Sequence, residues 1–371
     1  VNKDFDELKK AIVADALPKN IAGLQRDLGK YRIKYDVWFH ESDLHSSGAV
    51  RAVVDKLLET GACYKAEDGA IMYRSAQYAA KYGVVNKRKT DDGSEEEAKD
   101  EVLVRANGIP TYFAADIAYH YNKLAVRGFD KAIDVWGADH HGHVARMKGA
   151  MDAIGLDGSK LDIVLMQLVK LVRDGETVRM SKRKGTMVTL QELVDEVGSD
   201  AARYTLISKS SNQMVDFDIE AVKKRDNSNP VYYVQYAHAR VCSILRRAAD
   251  VTAEQADEMG MKAVAAKAIG ENVDYSLLTD PTELALSRKL NELTDLIASC
   301  ARDRAPFRLT HFAEELAGDF HSFYAACQVL PSEGRPVDPE LSRARLAACD
   351  AVRVTLALVL TLVGVSAPEQ M

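Results

Sequence analysis

Cysteine is scarce and scattered. Cys63, Cys242, Cys300, Cys327 and Cys349 are the only five in 371 residues, and no CxxC or Cys/His spacing links them. That pattern excludes a zinc module and a disulfide scaffold; five isolated thiols fit small buried side chains in a reducing compartment. Long apolar runs are missing too. The most apolar stretch, Val352 to Val365, contains Arg353 and falls short of the ~20 residues of a membrane span, so it reads as a core helix and no membrane partner is expected. The opening VNKDFDELKKAIVADALPKN is too polar for a signal peptide, and the expected location is the cytoplasm. Positive charge is not in excess. With a net charge of −6 the molecule has no general attraction for polyanions, and contact with nucleic acid must come from local patches.

What is present is a globular composition, 47% hydrophobic and 28% charged, over a length that suggests two or three domains. The early part combines a strand-like run at Tyr35–Phe39, an amphipathic helix from Ala49, and an Asp68-Gly69 hairpin turn. Asn86 to Glu101 is charged and aperiodic, so it reads as a solvated loop. From Val102 the chain alternates. A strand at 102–105, a helix at 111–124, a strand from Ala132 to Trp136, a helix at 143–154 and an alternating stretch at 161–172 predict a parallel α/β sheet. Thr189-Leu-Gln-Glu192 is a capping box for a helix ending near Gly198. After Asn229, a candidate cap, and Pro230, helical periods at 231–250, 283–302, 309–328 and 339–362 predict an all-α bundle, with linkers at 270–282 and 331–338.

Four segments carry chemistry. Arg179-Met180-Ser181-Lys182-Arg183-Lys184-Gly185-Thr186 is a cationic Ser/Lys/Gly loop of the kind that neutralises leaving pyrophosphate; a plain basic surface loop is the alternative. Trp136-Gly137-Ala-Asp139-His140-His141-Gly142-His143 puts polar groups at the carboxyl end of a strand, where open sheets bind ligands; the HHxH spacing has no partner that would complete a metal site. Tyr112 and Asp116 are four apart on one helix, a face suited to a planar cation or else a core tyrosine beside a surface acid. Tyr232, Tyr233, Gln235, Tyr236, His238 and Arg240 offer stacking platforms for unstacked bases, or a tyrosine-rich core face.

Taken together and in this order, the segments resemble the arginyl-tRNA synthetases, and the resemblance spans nearly the whole chain. Within 179–186, residues 179–183 are similar to the KMSKS signature of class I synthetases, with Arg179 in place of the first lysine, Arg183 in place of the last serine and the second lysine kept as Lys182. The resemblance implies a partial Rossmann-type sheet with an inserted α+β module, followed by an all-α anticodon-binding domain. Its domains would be an acceptor-end connective module at 1–101, the second catalytic half at 102–190, a connecting helical segment at 191–227 and the anticodon domain at 228–371. It assigns Lys182, Ser181 and Lys184 to catalysis, Tyr112, Asp116 and His140 to arginine, Gly137, Asp139, His143 and Met180 to adenosine, and Tyr233, Tyr236, Arg240 and Met371 to the anticodon. The implied substrates are L-arginine, ATP as its Mg2+ complex and tRNA(Arg), handled by a monomer with no tightly bound metal. His140-His141-Gly142-His143 superficially fits the other class signature, HIGH, but in the family that motif follows the first strand. The true HIGH half is therefore expected upstream of Val1, the ending GVSAPEQM is expected to be native, and the chain alone is expected to serve mainly in tRNA binding. Two rivals are a non-catalytic tRNA-binding derivative of a synthetase and a relative such as the cysteine enzyme, which would need zinc ligands.

Overall fold

A computed structural model describes the backbone of residues 2–83, 88–89, 95–96, 100–178 and 188–371. The KMSKS-like loop, with Met180, Ser181, Lys182 and Lys184, and most of the charged stretch 86–101 lie outside the described residues. Two compact units divide the chain, one of residues 35–168 with 211–213, the other of 1–34, 169–210 and 214–371.

In the unit of residues 35–168, the helix Ala49–Glu59 buries Val50, Val53, Val54 and Leu57. That i, i+3, i+4, i+7 spacing makes a single apolar stripe. The stripe shares a core with Ala114, Ala115, Ile117 and Ala118 of the helix Tyr112–Tyr121. The hairpin is present: Cys63–Lys65 pairs antiparallel with Ile71–Tyr73, and Gly69 at the turn takes φ +86°, which glycine adopts without a Cβ penalty. A third strand, Glu101–Val104, joins this antiparallel sheet against Ile71–Tyr73. Its existence is legible in the sequence; its sheet is not, because a non-local partner leaves no mark on a short apolar run. The expected parallel pairing is found between Ala132–Gly137 and Leu161–Met166, bridged by the helix His141–Ala153. That helix packs closely on the segment before it. A Cβ on Gly149 would come within 2.7 Å of the Tyr78 backbone. Along the Ala132–Gly137 strand, Ala132 and Asp134 are buried while Ile133 and Val135 are 48% and 67% exposed, an apolar row that the described residues leave largely open.

Tyr35–Phe39 is not a strand. Its aromatics pack individually instead: Trp38 edge-on to Tyr35 at 5.6 Å, and Phe39 stacked on Tyr119 at 4.5 Å.

In the second unit, Val169–Arg173 pairs parallel with Val215–Asp218 and antiparallel with Glu176–Thr177, the latter through the Asp174-Gly175 turn. The single alternating stretch expected at 161–172 is thus two strands in two sheets. The capping box at Thr189 and Glu192 forms and opens the helix Leu190–Val197. Asn229 does not cap. Its amide donates to the carbonyls of Val222 and Lys224 at 2.9 and 2.7 Å, tying down the preceding turn, while Pro230 does occupy the first turn of the helix Pro230–Ala249. Phe307–Ala326 and Pro339–Leu362 complete the core of the bundle with it. The helix expected over 283–302 is two, Pro281–Asn291 and Leu293–Asp303. Two short helices the periodicity missed, Ala253–Met259 and Met261–Ile269, meet at Gly260.

After Leu362 the chain turns at Gly364, φ +72°, where a Cβ would strike the Arg203 guanidinium. From there it runs as a clamped strap. Arg203 Nη1 donates to Tyr31 O at 2.6 Å and its Nε to Val363 O at 3.3 Å. Asp200 accepts from Arg32, from the Ser366 backbone N–H at 3.0 Å and hydroxyl, and from Gln235 at 2.9 Å. His238 Nδ1 donates to Pro368 O at 2.8 Å and Arg246 to Glu369 O at 3.0 Å.

Candidate functional sites

The first site lies in the unit of residues 35–168. The helix Tyr112–Tyr121 and the strand Ala132–Gly137 border an open cleft of about 730 Å³, lined among others by Tyr112, Asp116, Trp136, His140 and His143. Tyr112 stands at the mouth, 80% exposed. Asp116 has no cation within ion-pairing distance among the described residues, and its carboxyl is raised above the usual aspartate range. Burial is the main cause; His120 opposes it and Glu41 reinforces it. An acceptor held partly dry with no partner is a place where a cationic ligand gains most. The rings of His140 and His143 lie 6.0 Å apart, with Trp136 6.4 Å from His140.

The structure brings Tyr112, Asp116, His140 and His143 together on this cleft. Gly137 and Asp139 are not among its lining residues, and the Asp139 side chain is 82% exposed. A Cβ at Gly137 would meet the Asp139 carboxylate, an exposed side chain that is free to swing aside. In the wall of the cleft sits a group that sequence reasoning missed. His120 bridges to Asp134 at 2.5 Å, and Lys123 reaches the other Asp134 oxygen at 2.7 Å. Burial works to raise the Asp134 carboxyl, but the His120 contact and then Lys123 outweigh it and hold it below the usual range. The available signal was spacing, since His120 lies one helical turn after Asp116 on the same face.

The second site lies in the other unit. A pocket of about 610 Å³ is lined by Asn227, Tyr233, Tyr236, Arg240, His321, Tyr324 and Ala325. Tyr232 and Tyr236 rings are parallel, 6.3 Å apart, as i, i+4 neighbours on Pro230–Ala249. His321, from Phe307–Ala326, sits 5.1 Å from Tyr233 and 6.1 Å from Tyr236. Burial lowers its pKa, with Arg240 adding to the effect, so the ring is a neutral stacking surface at pH 7. The Arg240 guanidinium lies over Tyr324 at 4.5 Å and Tyr236 at 5.9 Å and pairs with no carboxylate among the described residues. A half-buried cation among four rings suits a nucleobase beside a phosphate. Tyr233, Tyr236 and Arg240 therefore share one pocket. Met371 lies apart, in a neighbouring pocket with Arg32, Asn229, Tyr232 and Gln235. His321 and Tyr324 were not singled out in the sequence, because an aromatic on a buried helix usually signals core.

Among the described residues no group of three His, Cys, Asp or Glu side chains gathers to hold a metal, and no helix is long and apolar enough to cross a membrane.

Residues 234–371 match the family model of the DALR anticodon binding domain. A helix-bridged parallel sheet ahead of such a domain defines a class I aminoacyl-tRNA synthetase. The chain is 45% identical over 363 residues to the arginine–tRNA ligase of Moorella thermoacetica, covering 98% of this chain and 58% of that protein. A solved arginyl-tRNA synthetase from Campylobacter jejuni superposes with a TM-score of 0.77 at 30% identity, over 97% of this chain and 70% of that one. The Thermus thermophilus arginyl-tRNA synthetase agrees in fold, with a TM-score of 0.74 at 19% identity over 100% of this chain and 66% of that one. The chain belongs to the arginyl-tRNA synthetase family, and it spans under two thirds of the length of the curated relatives it matches.

Proposed function

We propose that this chain supplies the arginine-binding wall and the anticodon grip of an arginine–tRNA ligase, which activates L-arginine with ATP·Mg2+ and transfers it to tRNA(Arg). One observation carries the reading: Asp116, a carboxylate with a raised pKa and no cation beside it among the described residues, faces a cleft edged by aromatic rings. A guanidinium offers parallel N–H donors to a carboxylate and a flat face to rings, and an ammonium cannot satisfy both oxygens in the same way. Tyr112 and His140 would flank the arginine. Gly137, Asp139 and His143 would seat the adenosine with Met180, while Ser181, Lys182 and Lys184 would steady the departing pyrophosphate. No covalent nucleophile is needed; positioning and fixed charge lower the barrier. On this reading 1–101 is the acceptor-end module, 102–190 the catalytic half, 191–227 the connector and 228–371 the anticodon domain. Five free, buried cysteines fit a cytoplasmic setting.

We further propose that these 371 residues alone bind tRNA but do not form the adenylate. Parallel strands are normally covered on both faces, yet Ile133 and Val135 line the cleft as a bare row, so one wall is unfinished. The isolated chain is expected to show no arginine-dependent ATP–pyrophosphate exchange; measurable turnover would refute its incompetence.

For the anticodon pocket, Tyr236→Ala should weaken tRNA(Arg) binding about 10-fold or more, since one base–ring stack is worth roughly 1–3 kcal/mol. Tyr236 is only half-buried, so the melting temperature should change little. Loss of folding without specific loss of affinity would make Tyr236 a core residue.

A further inference from the structure

We propose that His120 is a positioning residue of the amino-acid cleft, a buried strut that fixes the Asp116 helix to the strand ending at His140. The inference rests on the arginine-site reading and adds a residue to it.

His120 is 3% exposed in the last turn of the helix Tyr112–Tyr121. Its two ring nitrogens point in opposite directions. Nδ1 donates to the backbone carbonyl of Asp116 at 2.7 Å, and Nε2 meets the Asp134 carboxylate at 2.5 Å. Both partners are oxygen acceptors, so a ring carrying both N–H groups satisfies the two at once. Neither nitrogen is left for a substrate, which separates this residue from a catalytic group. The far end is fixed in turn. The π-helical turn Asn122–Val126 begins where the helix stops and carries Lys123 to the second Asp134 oxygen at 2.7 Å, with its ammonium 4.3 Å over the Tyr119 ring.

The strut therefore spans the two elements that border the cleft. At one end is the main chain of the residue offering the carboxylate; at the other is the third residue of the strand Ala132–Gly137, which leads into His140. A buried polar network with every member paired has one low-energy arrangement, and a bidentate contact to a guanidinium tolerates little displacement of its acceptor.

The test uses two isosteres in the complete natural polypeptide. His120→Asn keeps a donor near the Nδ1 position and His120→Gln one near Nε2, so each retains one end of the strut and loses the other. Steady-state ATP–pyrophosphate exchange should show KM for arginine raised about tenfold in both, with kcat and KM for ATP within twofold of the parent. The proposal is overturned if either isostere keeps KM for arginine within twofold, or if kcat and KM for ATP move by the same factor as KM for arginine. If both variants fail to fold, Asp134→Asn, which weakens only the far end, is read by the same assay: a selective rise in KM for arginine supports the strut and an unchanged one overturns it. Asp116→Asn run in parallel separates two failures: an unchanged KM for arginine there sinks the arginine-site reading itself, whereas a raised KM there beside unchanged isosteres sinks only the strut.

Discussion

In the complete natural polypeptide, Asp116→Asn should reduce kcat/KM for arginine by about 10²–10³ while leaving the melting temperature no lower than that of the parent. The size follows from leaving a guanidinium opposite an amide: Asp116 is itself exposed, and removing one partner of a hydrogen-bonded charge pair that the bound ligand closes off from water costs roughly 2–5 kcal/mol, where each 1.36 kcal/mol is a factor of ten. The stability half follows from the opposite sign of the same burial. Burial holds the Asp116 carboxyl above the ordinary value of 3.8, against the pull of His120. The folded state thus binds its proton more tightly than the unfolded chain does. Ionised at neutral pH, the group opposes folding, and that penalty disappears only as pH drops below the raised value. An amide carries no such penalty. Activity and stability should therefore move in opposite directions, the mark of a residue kept for its ligand. Exchange kinetics in arginine and in ATP, with thermal melts, decide it; a fall in melting temperature parallel to the activity loss would count against the assignment.

Asp200→Ala should cost about 2–4 kcal/mol of stability, because in a partly buried site it removes the acceptor of both Ser366 donors and one acceptor each of Arg32 and Gln235, which keep Gly364 O and Ser366 O. For a unit of this size the melting temperature should drop by roughly 5–12 °C, and brief proteolysis should release the strap beyond Val363. Burial works to raise the Asp200 carboxyl, but the Ser366 hydroxyl and N–H, then Arg32 and Gln235, hold it below 3.8. A depressed folded-state value means stability that is fully present above the unfolded value and is lost as pH falls through the folded pKa. The gap between parent and variant should accordingly close on acidification from about pH 6 to below about pH 3. A gap that stays constant, or a strap equally resistant in both proteins, would show that Asp200 is not what holds it.

The helical half was legible because its ends are written locally. Pro230 and Pro339 stand at first turns, and Thr189–Glu192 forms its reciprocal cap. What the sequence left open was pairing at a distance. Nothing in Glu101–Val104 announces the partner Ile71–Tyr73, and nothing in GVSAPEQM announces the side chains of Arg203, Asp200, Gln235 and Arg246 that set its path. That path is why Met371 lines a different pocket from Tyr236. The break at Glu292 has no proline or glycine beside it, and we have no physical account of it. In the cleft, spacing marked Tyr112 and Asp116 correctly as neighbours on one face, and His140 and His143 join them. The same spacing extended by one more turn leads to His120, but its meaning depends on Asp134, fourteen residues away in another element.

The uncovered Ile133–Val135 row sets a limit on how this polypeptide can be handled. Bare apolar strand surfaces recruit further chain, and in a concentrated stock the nearest supply is another copy. A lysine in place of Val135 would keep such a stock dispersed, yet it would thrust a charge into the cleft that this row lines. Dispersal in the tube and the apolar character of the cleft are set against each other at a single side chain.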